Sequence, residues 1–480
     1  MTKIHVSQIT EAVSKLCIDA NYYLSSDIRD CFLKSLNTED LDMARTITEI
    51  LIENADIAAA NHVPICQDTG MAVVFIEIGQ DIQIEGGSLE DAINAGVADG
   101  YTKGYLRKSV VSDPVERINT GDNTPAVIHY EIVPGNKLTI TVAPKGFGSE
   151  NMSALRMLTP SEGIEGIEKF VIDTIIGAGP NPCPPIVVGI GIGGTMEKCA
   201  LMAKKALLRE IGTKSPVSHW ADMEARLLAR INSLGIGPAG LGGSLTAMAV
   251  HIETYGTHIA GLPVAVNIGC HVTRHRSVIL DGTSLPEQIV HAPAPSPPVD
   301  SQTDPKITGR KLTTPLTQAD VDTLWAGEMI LISGYIYTAR DAAHKRLVEM
   351  LERGEDLPFD ASGQIVYYAG PCPAKPGAVI GSVGPTTSGR MDKYSPVLMK
   401  SGLKLMLGKG SRSPEVVDAI KETKGAYFVA IGGAAAYMAR CVKAVELIAF
   451  EDLGTEAIRR LTVEDFPAIV SIDANGKSID

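Results

Sequence analysis

The chain has 480 residues, of which 45% are hydrophobic and 21% are charged, and this composition is typical of a globular protein with a large core. Its formal net charge of −13 at pH 7 argues against binding to nucleic acid or to an anionic membrane surface, because both are polyanions. The low aromatic share of 5%, together with 47 glycines and 28 prolines, favours an α/β fold with many tight turns over a helical bundle.

The first residues lack the apolar core of a signal peptide. The longest uncharged apolar stretch, residues 426–439, is shorter than the roughly 20 residues that a membrane span needs. We therefore predict a cytoplasmic protein that does not cross a membrane. The eight cysteines are too sparse for a disulfide scaffold, so we expect thiols, some of which are ligands.

Helical periodicity comes first along the chain, and strands follow it. Apolar residues recur at helical spacing over residues 5–60, whereas strands dominate the prediction for residues 71–145. Residues 163–179 are predicted to form a helix that ends at a glycine. Residues 184–194, PPIVVGIGIGG, are predicted to form a buried strand that runs into a glycine turn and then into another helix.

The composition changes at residues 291–305, HAPAPSPPVDSQTDP, where five prolines in fifteen residues indicate a semi-rigid spacer or a surface loop. A regular pattern then restarts, with Thr317 as the predicted N-cap of a helix and a strand in MILISGYIYTAR. We therefore predict an N-terminal domain over residues 1–290 and a C-terminal domain over residues 306–480, with residues 291–305 as the linker.

The cysteines fall into two groups by their surroundings. One group lies in helical, mostly apolar sequence, where a cysteine usually serves as a small buried hydrophobe: Cys17, Cys31, Cys199 and Cys441. The other group lies in or beside Gly/Pro turns, whose free N–H groups can stabilise a thiolate or a cluster sulfide: Cys66, Cys183, Cys270 and Cys372. There is no CxxC motif, so the spacing leaves both a structural role and an iron–sulfur role open.

Positive charge is concentrated in residues 371–412, which contain seven Lys or Arg and one acid in an otherwise acidic chain. Within them, GPTTSGRMD places two threonine hydroxyls and Arg390 on a glycine turn, a combination suited to binding a carboxylate. A solvated surface is the alternative interpretation. A phosphate loop is not indicated, since GxxxxGK[ST] is missing, and GIGIGG at residues 189–194 lacks the acidic residue of a dinucleotide motif.

Five motifs, in the expected order, resemble the class I, iron–sulfur-dependent fumarate hydratases and the related tartrate dehydratases. They are VPICQDTG, PKGFGSENMS, CPPIVVGIGIGGT, LPVAVNIGCH and GPTTSGRMD. In many relatives the two parts are separate α and β chains, and here they are fused at the proline-rich segment. The resemblance implies an α/β (α+β) two-domain protein with an N-terminal mixed α/β domain that carries the cluster and a C-terminal swivelling-type β/β/α domain.

The resemblance also implies a [4Fe–4S] cluster with three protein ligands, Cys66, Cys183 and Cys270, whereas Cys372 is not a ligand. An iron without a cysteine is an open Lewis-acid position, comparable to the open site of a catalytic zinc, and it is exposed to oxygen. Electron-transfer clusters usually have four cysteines. The chain departs from the common pattern at Phe147, where a glycine is frequent, which puts the fine shape of the pocket in question.

The implied reaction is the reversible hydration of fumarate to (S)-malate. Dehydration of tartrate or a related 2-hydroxy dicarboxylate is the alternative, and a non-catalytic iron–sulfur protein is a third reading. The implied proton-handling pair is Thr386 and Asp68, and we expect burial beside an anionic substrate to raise the pKa of Asp68. The implied substrate-binding residues are Gln67, Arg107, Gly148, His258, Arg340, Arg390 and Lys409. We expect a small dicarboxylate substrate, a pocket at the domain interface and a homodimer.

Overall fold

The structure of the protein is a computed structural model that describes residues 2–282 and 307–479, called here the N-terminal part and the C-terminal part. Helices and strands alternate through both parts, which confirms the α/β class. The predicted linker, residues 291–305, lies outside the described residues, so the domain limits stay a prediction. The swivelling-type assignment of the C-terminal domain stays a prediction as well.

The α-helices of the described residues are α1 (Val6–Tyr22), α2 (Ser26–Leu36), α3 (Asp42–Asn61), α4 (Leu89–Lys103), α5 (Phe147–Glu150), α6 (Gly163–Ala178), α7 (Met196–Ala206), α8 (Ser218–Asn232), α9 (Gln318–Asp322), α10 (Asp341–Glu352), α11 (Ser395–Lys400), α12 (Pro414–Thr423) and α13 (Ala435–Arg440). The helices predicted over residues 5–60 and 163–179 are thereby confirmed. Among the helices of residues 2–282 and 307–479, none combines the length and the apolar character that a bilayer crossing requires.

The β-strands of the described residues are β1 (Thr2–His5), β2 (Met71–Gly79), β3 (Ile82–Glu85), β4 (Val127–Val133), β5 (Leu138–Lys145), β6 (Ala154–Leu158), β7 (Ile186–Gly193), β8 (Ala247–Tyr255), β9 (Leu262–Gly269), β10 (Arg276–Leu280), β11 (Arg310–Thr313), β12 (Met329–Thr338), β13 (Ile365–Tyr367), β14 (Leu405–Gly408), β15 (Ala426–Val429), β16 (Val442–Ala449) and β17 (Ile458–Ile472). The strands predicted in residues 71–145 and at residues 184–194 are confirmed.

Two four-stranded sheets form the core of the N-terminal part, one with the order β10–β5–β2–β4 and the other with the order β6–β9–β7–β8. In the first sheet, β5 turns Leu138, Ile140 and Val142 inward, and they pack with apolar residues of α1 and α4. In the second sheet, β7 lies between a parallel β8 and an antiparallel β9, and it is buried along its whole length. A strand covered on both faces reads as a continuous apolar run, as this one does.

Glycines in β7 allow helix α7 to lie directly on the strand. A Cβ atom at Gly189 would come within 2.1 Å of the Ala203 carbonyl oxygen, and one at Gly191 within 2.1 Å of the Cys199 carbonyl oxygen. Both distances are far below van der Waals contact, so only glycine fits at these positions. The glycine-rich stretch at residues 189–194 is therefore explained by strand–helix packing, and it needs no nucleotide.

The C-terminal part contains a sheet in which strand pairing closes on itself. The order is β11–β12–β13–β14–β15–β17–β16, and β12 also pairs antiparallel with β17. The strands β12, β13, β14, β15 and β17 thus form a ring, whose inner residues include Ile332, Ile365 and Phe428. Residues of α2 and α3, such as Phe32 and Ile47, belong to the same buried cluster, so the N-terminal helices pack against the C-terminal part.

A buried guanidinium organises the loops at one end of this ring. Arg412 donates from Nε to Asp392 Oδ1 at 2.7 Å and from Nη2 to Ser395 Oγ at 2.7 Å. It also lies over the rings of Tyr368 and Tyr427, at 5.4 Å and 4.9 Å from their centroids. A cation held between two aromatic faces and a carboxylate is well compensated for its loss of water.

The Arg412 guanidinium is connected to other residues of the basic segment, residues 371–412, through Tyr427, whose ring it contacts. The Tyr427 hydroxyl lies 2.9 Å from Ser388 Oγ. Ser388 Oγ also accepts the backbone N–H of Lys409 at 3.1 Å. The turn that carries Arg390 and the strand end that carries Lys409 are therefore tied to one buried network.

We expect Arg412→Met to lower the free energy of unfolding by about 3–5 kcal/mol, because it leaves the Asp392 carboxylate without its cation in a mostly buried setting. Chemical denaturation of the full chain measures this change. Arg346→Met is the matched control, since Arg346 pairs with an exposed carboxylate, Asp452, and its loss should change stability little. Equal stability of the two variants would contradict the role of the network.

Candidate active site

The register of β7 and β9 brings two of the turn cysteines together. The two strands are antiparallel, and Val187 near the start of β7 lies opposite Gly269 at the end of β9. Cys183 precedes β7 and Cys270 directly follows β9, so both lie at the same end of the sheet. His271 links them, since its backbone N–H lies 3.3 Å and its ring Nδ1 3.0 Å from the Cys183 carbonyl oxygen.

The third turn cysteine, Cys66, comes from the loop between α3 and β2. This loop is held against the segment that follows Cys270, because Arg274 donates from Nη2 to the backbone oxygen of Asp68. Cys66 also packs with Val272 and Cys270 in one small apolar cluster. Burial, opposed by Arg274 and reinforced by negative charge on Cys270, raises the pKa of Cys66 to about 12. The two thiols therefore lie within electrostatic reach of each other.

The three cysteines are of the residue type that ligates iron–sulfur clusters. Across residues 2–282 and 307–479, no three His, Cys, Asp or Glu side chains converge closely enough to hold one metal ion. In an iron–sulfur cluster each cysteine ligates its own iron and sulfide fills the space between them, so the cysteines stand further apart. Cys270 is influenced by both Cys183 and Cys66, and the cations Arg274 and Lys145 lower its pKa against the effect of burial. This donor set fits a sulfur-rich anionic group.

Lys409 reaches this group from the C-terminal part. Its Nζ atom lies 2.8 Å from Cys183 Sγ and donates to the Asn181 carbonyl oxygen at 3.0 Å. Burial alone would lower the pKa of Lys409, but negative charge on Cys183 and the two other cysteines raises it above its ordinary value. The lysine is therefore held in its charged form beside the sulfurs.

Gln67 and Asp68 directly follow Cys66, and each is fixed by a different contact. Gln67 donates from Nε2 to the Pro385 carbonyl oxygen at 3.1 Å, across the boundary between the two parts. Asp68 accepts the backbone N–H of Phe147 at 3.0 Å and lies 3.2 Å from an Nη atom of Arg107. Both side chains are thus oriented before any substrate is present.

Without a bound substrate the pKa of Asp68 is lowered. The rise expected from the sequence concerns a site that holds an anionic substrate, and it stays a prediction. Burial by itself would raise this pKa, but Arg107 and Arg274 outweigh the burial and hold it below its ordinary value. The hydrogen bonds from Phe147 and Gly70 act in the same direction, because they stabilise the ionised form. Asp68 is therefore a carboxylate in this state.

Three guanidinium groups lie close together at the boundary between the two parts. Arg107 donates to the Gly370 carbonyl oxygen at 3.3 Å, so an N-terminal residue contacts the C-terminal part. Arg340 is buried, which lowers its pKa to about 10, and the charges of Arg107 and Arg390 lower it in the same direction. Glu456 at 3.3 Å opposes this effect, and within residues 2–282 and 307–479 the Nε atom of Arg340 has no hydrogen-bond partner.

Arg390 stands at the exposed rim of this group. Its Nη2 atom donates to Thr386 Oγ1, and its Nε atom lies 3.5 Å from Asp341 Oδ1. The Thr386 backbone is fixed by a hydrogen bond to the Tyr368 carbonyl oxygen at 2.7 Å. The threonine hydroxyl and the arginine of the GPTTSGRMD motif therefore act as a pair.

Gly148 and Phe147 form the short turn beside Lys409. A Cβ atom at Gly148 would lie 3.2 Å from Lys409 Nζ, so any side chain there would crowd the lysine. Phe147 contributes its backbone N–H to Asp68, while its side chain is 48% exposed. Phe147 therefore keeps the backbone hydrogen bond to Asp68, although a glycine is common at this position.

His258 was predicted to contact substrate, but the structure places it away from the other predicted site residues. It lies in the exposed loop between β8 and β9, and its hydrogen bonds are local: Nδ1 accepts from Ala260 N at 3.2 Å and the carbonyl oxygen from Gly261 N at 2.9 Å. The neighbouring Ile259 is 91% exposed. Within one chain, His258 is separate from the cysteine and arginine groups.

Sequence analysis missed two buried cations beside the cysteines. Arg274 follows Cys270 by four residues, and Lys145 lies at the end of β5, where Ser149 Oγ accepts its Nζ proton at 2.8 Å. The only sequence signal was a basic residue shortly after a turn cysteine. Cys372 also lies near, with its Sγ atom 3.5 Å from the Gln67 carbonyl oxygen, but its exclusion as a ligand stays a prediction.

A small cleft opens beside Cys270. It is lined by apolar residues of β2 and β5, by Leu207 and Leu208 after α7, and by the cations Lys145, Lys204 and Arg274. Arg340, Arg390 and Lys409 are not among its lining residues, so the cleft lies beside the cysteine group and apart from the arginine group.

Comparison with known families matches the chain in two adjoining segments. Residues 10–279 match the family described as fumarate hydratase (fumerase), and residues 284–480 match the family described as the fumarase C-terminus. Together the two matches span nearly the whole chain. The first contains the three turn cysteines, and the second contains Thr386, Arg390 and Lys409.

Similar proteins with curated names include members of both enzyme groups. A class I aerobic fumarate hydratase of Escherichia coli is 32% identical over 88% of this chain and 80% of its own length. A putative class I fumarate hydratase of Geobacillus stearothermophilus is 30% identical over 99% of this chain and 96% of its own length. A putative L(+)-tartrate dehydratase subunit alpha of Methanocaldococcus jannaschii is 44% identical over 56% of this chain and 95% of its own length. The chain therefore belongs to the class I fumarate hydratase family, with the family's two segments fused in one polypeptide.

Proposed function

We propose that this chain catalyses the reversible hydration of fumarate to (S)-malate with a [4Fe–4S] cluster held by three cysteines. Family membership makes it a hydro-lyase. The observation that supports the substrate class is the arginine group at the boundary between the two parts, where Arg107, Arg340 and Arg390 influence one another. So many cations beside a buried, sulfur-rich site suit a small dianion such as a dicarboxylate.

Anaerobic assays of the full chain test the substrate. We expect turnover with fumarate and malate, and loss of activity in air. Dehydration of tartrate is the second candidate, favoured by the 44% identity of the N-terminal part to a tartrate dehydratase subunit. Turnover of either tartrate enantiomer but not of fumarate would establish that alternative. An intact cluster without turnover of any of these acids would establish a non-catalytic iron–sulfur protein.

In this proposal the cluster ligands are Cys66, Cys183 and Cys270. Because there is no fourth cysteine ligand, one iron has an open position, which supplies Lewis acidity when the cluster is bound. The protein provides Cys183 and Cys270 at the end of one sheet, Cys66 from the loop before β2, and the charged Lys409 beside Cys183. Cys372 contacts the backbone of Gln67 and keeps a packing role.

We expect a Cys→Ser change at any of the three proposed ligands to abolish stable cluster binding, since a serine hydroxyl replaces a soft thiolate ligand. Each variant is reconstituted anaerobically and its iron and sulfide are measured. Cys372→Ser is the matched control, because this cysteine is equally buried and lies in the same region. A Cys372→Ser protein without a cluster, beside a Cys183→Ser protein that retains one, would refute the assignment.

The proposed substrate contacts come from both parts of the chain. Arg107, Gln67 and the Gly148 backbone are provided by the N-terminal part, and Arg340, Arg390 and Lys409 by the C-terminal part. The guanidiniums bind the two carboxylates and stabilise the negative charge that develops when a proton leaves the neighbouring carbon.

Asp68 and Thr386 are proposed as the proton-handling pair. Asp68 is ionised without substrate, but a bound dianion opposes Arg107 and raises the pKa of Asp68, so that it can hold a proton for the departing hydroxyl. Thr386 is the proposed base. Its hydroxyl is a weak base unless its proton is lost, and the Arg390 hydrogen bond stabilises the deprotonated oxygen.

We expect Thr386→Val to stop the exchange of the C3 hydrogen of malate with solvent, because the substitution removes the proposed base. The loss of deuterium from malate labelled at C3 measures this step apart from net turnover. Thr387→Val is the matched control, since it removes the neighbouring hydroxyl from the same turn. If Thr386→Val exchanges deuterium at the parent rate, Thr386 only binds substrate and another group is the base.

We also propose a cytoplasmic homodimer. A substrate contact by His258 requires a second copy, because this residue lies in an exposed loop away from the arginine group of its own chain. A molar mass in solution of twice 50.8 kDa is the expected result. A monomer with full activity would exclude this role for His258.

A further inference from the structure

Arg274 is a buried cation whose hydrogen-bonding capacity is mostly unused. The residue is 7% exposed, and its Nη2 atom donates to the backbone oxygen of Asp68. Its Nε and Nη1 atoms are buried and, among the described residues, have no hydrogen-bond partner. Leaving charged donors buried without acceptors is costly, so an acceptor outside the polypeptide is indicated.

The position of Arg274 identifies the chemistry of that acceptor. Its hydrogen bond to the Asp68 backbone joins it to the loop that carries Cys66, and it follows Cys270 by four residues, so it stands beside both cysteines. It also lines the cleft beside Cys270 together with Lys145. The acceptor is therefore sulfur-rich and negatively charged.

Neighbouring cations are already neutralised or bound, which distinguishes Arg274 from them. Lys145 donates to Ser149 and lies 3.3 Å from Glu150 Oε2, so a carboxylate compensates its charge. Lys409 already contacts Cys183 and Asn181. Arg274 contacts Asp68 only through the backbone oxygen, and the Asp68 carboxylate, which is ion-paired with Arg107, acts on it without a direct contact.

We propose that Arg274 is a positioning residue for the iron–sulfur cluster, with its free N–H groups donating to cluster sulfur and its charge offsetting the charge of the cluster. This inference rests on the proposed three-cysteine cluster. Three thiolates make such a cluster a net anion, and reduction adds further negative charge. A fixed cation with N–H donors therefore favours the reduced form and raises the reduction potential.

Each of the two parts of the chain supplies one cation to the cysteine group. Arg274 belongs to the N-terminal part and lies near Cys66 and Cys270, whereas Lys409 belongs to the C-terminal part and lies on Cys183. One cation from each part therefore lies next to the proposed cluster. Only Lys409 is also among the proposed substrate contacts, so the effect of Arg274 is expected on the cluster itself.

The test uses the full chain, reconstituted anaerobically, with the reduction potential of the cluster and its iron loss to a chelator as readouts. We expect Arg274→Gln to shift the equilibrium between oxidised and reduced cluster at least tenfold toward the oxidised form, which for one electron is a fall of about 59 mV. Iron loss should be at least about tenfold faster. Arg274→Lys keeps the charge but not the fixed N–H groups, so its potential should stay near the parent value while its iron loss rises.

Arg276→Gln is the matched control, because Arg276 is equally buried but donates to the carbonyl oxygens of His275 and Tyr23. It should lower stability without moving the potential. A parent-like potential and iron loss in Arg274→Gln overturn the inference. If that variant does not fold, parent-like iron loss in Arg274→Lys overturns it. A parent protein that binds no cluster overturns the proposed function as well.

Discussion

The contact between Lys409 and Cys183 depends on both parts of the chain being in place. An ammonium group 2.8 Å from a buried sulfur is costly to desolvate, and negative charge on the cysteines compensates that cost. Neither group could keep this environment if the C-terminal part moved away. The Asn181 carbonyl oxygen fixes the same ammonium from the N-terminal side. The cysteine group and the basic segment therefore form one site only in the docked arrangement.

Buried polar contacts across the boundary hold that arrangement. The side chain of Asn54 on α3 donates to the Gly433 carbonyl oxygen at 3.1 Å and accepts the Tyr437 N–H at 2.9 Å. The side chain of Gln67 reaches the Pro385 carbonyl oxygen from the loop that carries Cys66. Buried amides lose much of their stabilisation when one partner moves, so these contacts fix the register between the two parts. The cysteine loop is thereby preorganised by residues distant in the sequence.

The sequence predicted what depends on local pattern and motif. The helices of residues 5–60, the buried strand β7 and the grouping of the turn cysteines are of this kind. What it could not predict depends on register between distant segments. The partners of Arg274 and Arg412 could not be predicted, because they are set by how β9 and the C-terminal loops pack. The ion pair between Arg107 and Asp68, which holds the pKa of Asp68 down in the substrate-free protein, is another contact of this kind.

Mutual repulsion within the arginine group explains why the site suits an anion. Arg340 is buried beside Arg107 and Arg390, and its pKa falls to about 10 although Glu456 compensates it in part. Asp68 neutralises Arg107 in the same way. In the proposed function, a dicarboxylate that binds to this arginine group competes with these internal carboxylates, so it exchanges existing ion pairs for new ones. Its binding free energy is then the energy of the ion pairs that form minus the energy of the ion pairs that break. This difference is smaller than the energy of the new ion pairs alone, which permits release of the product.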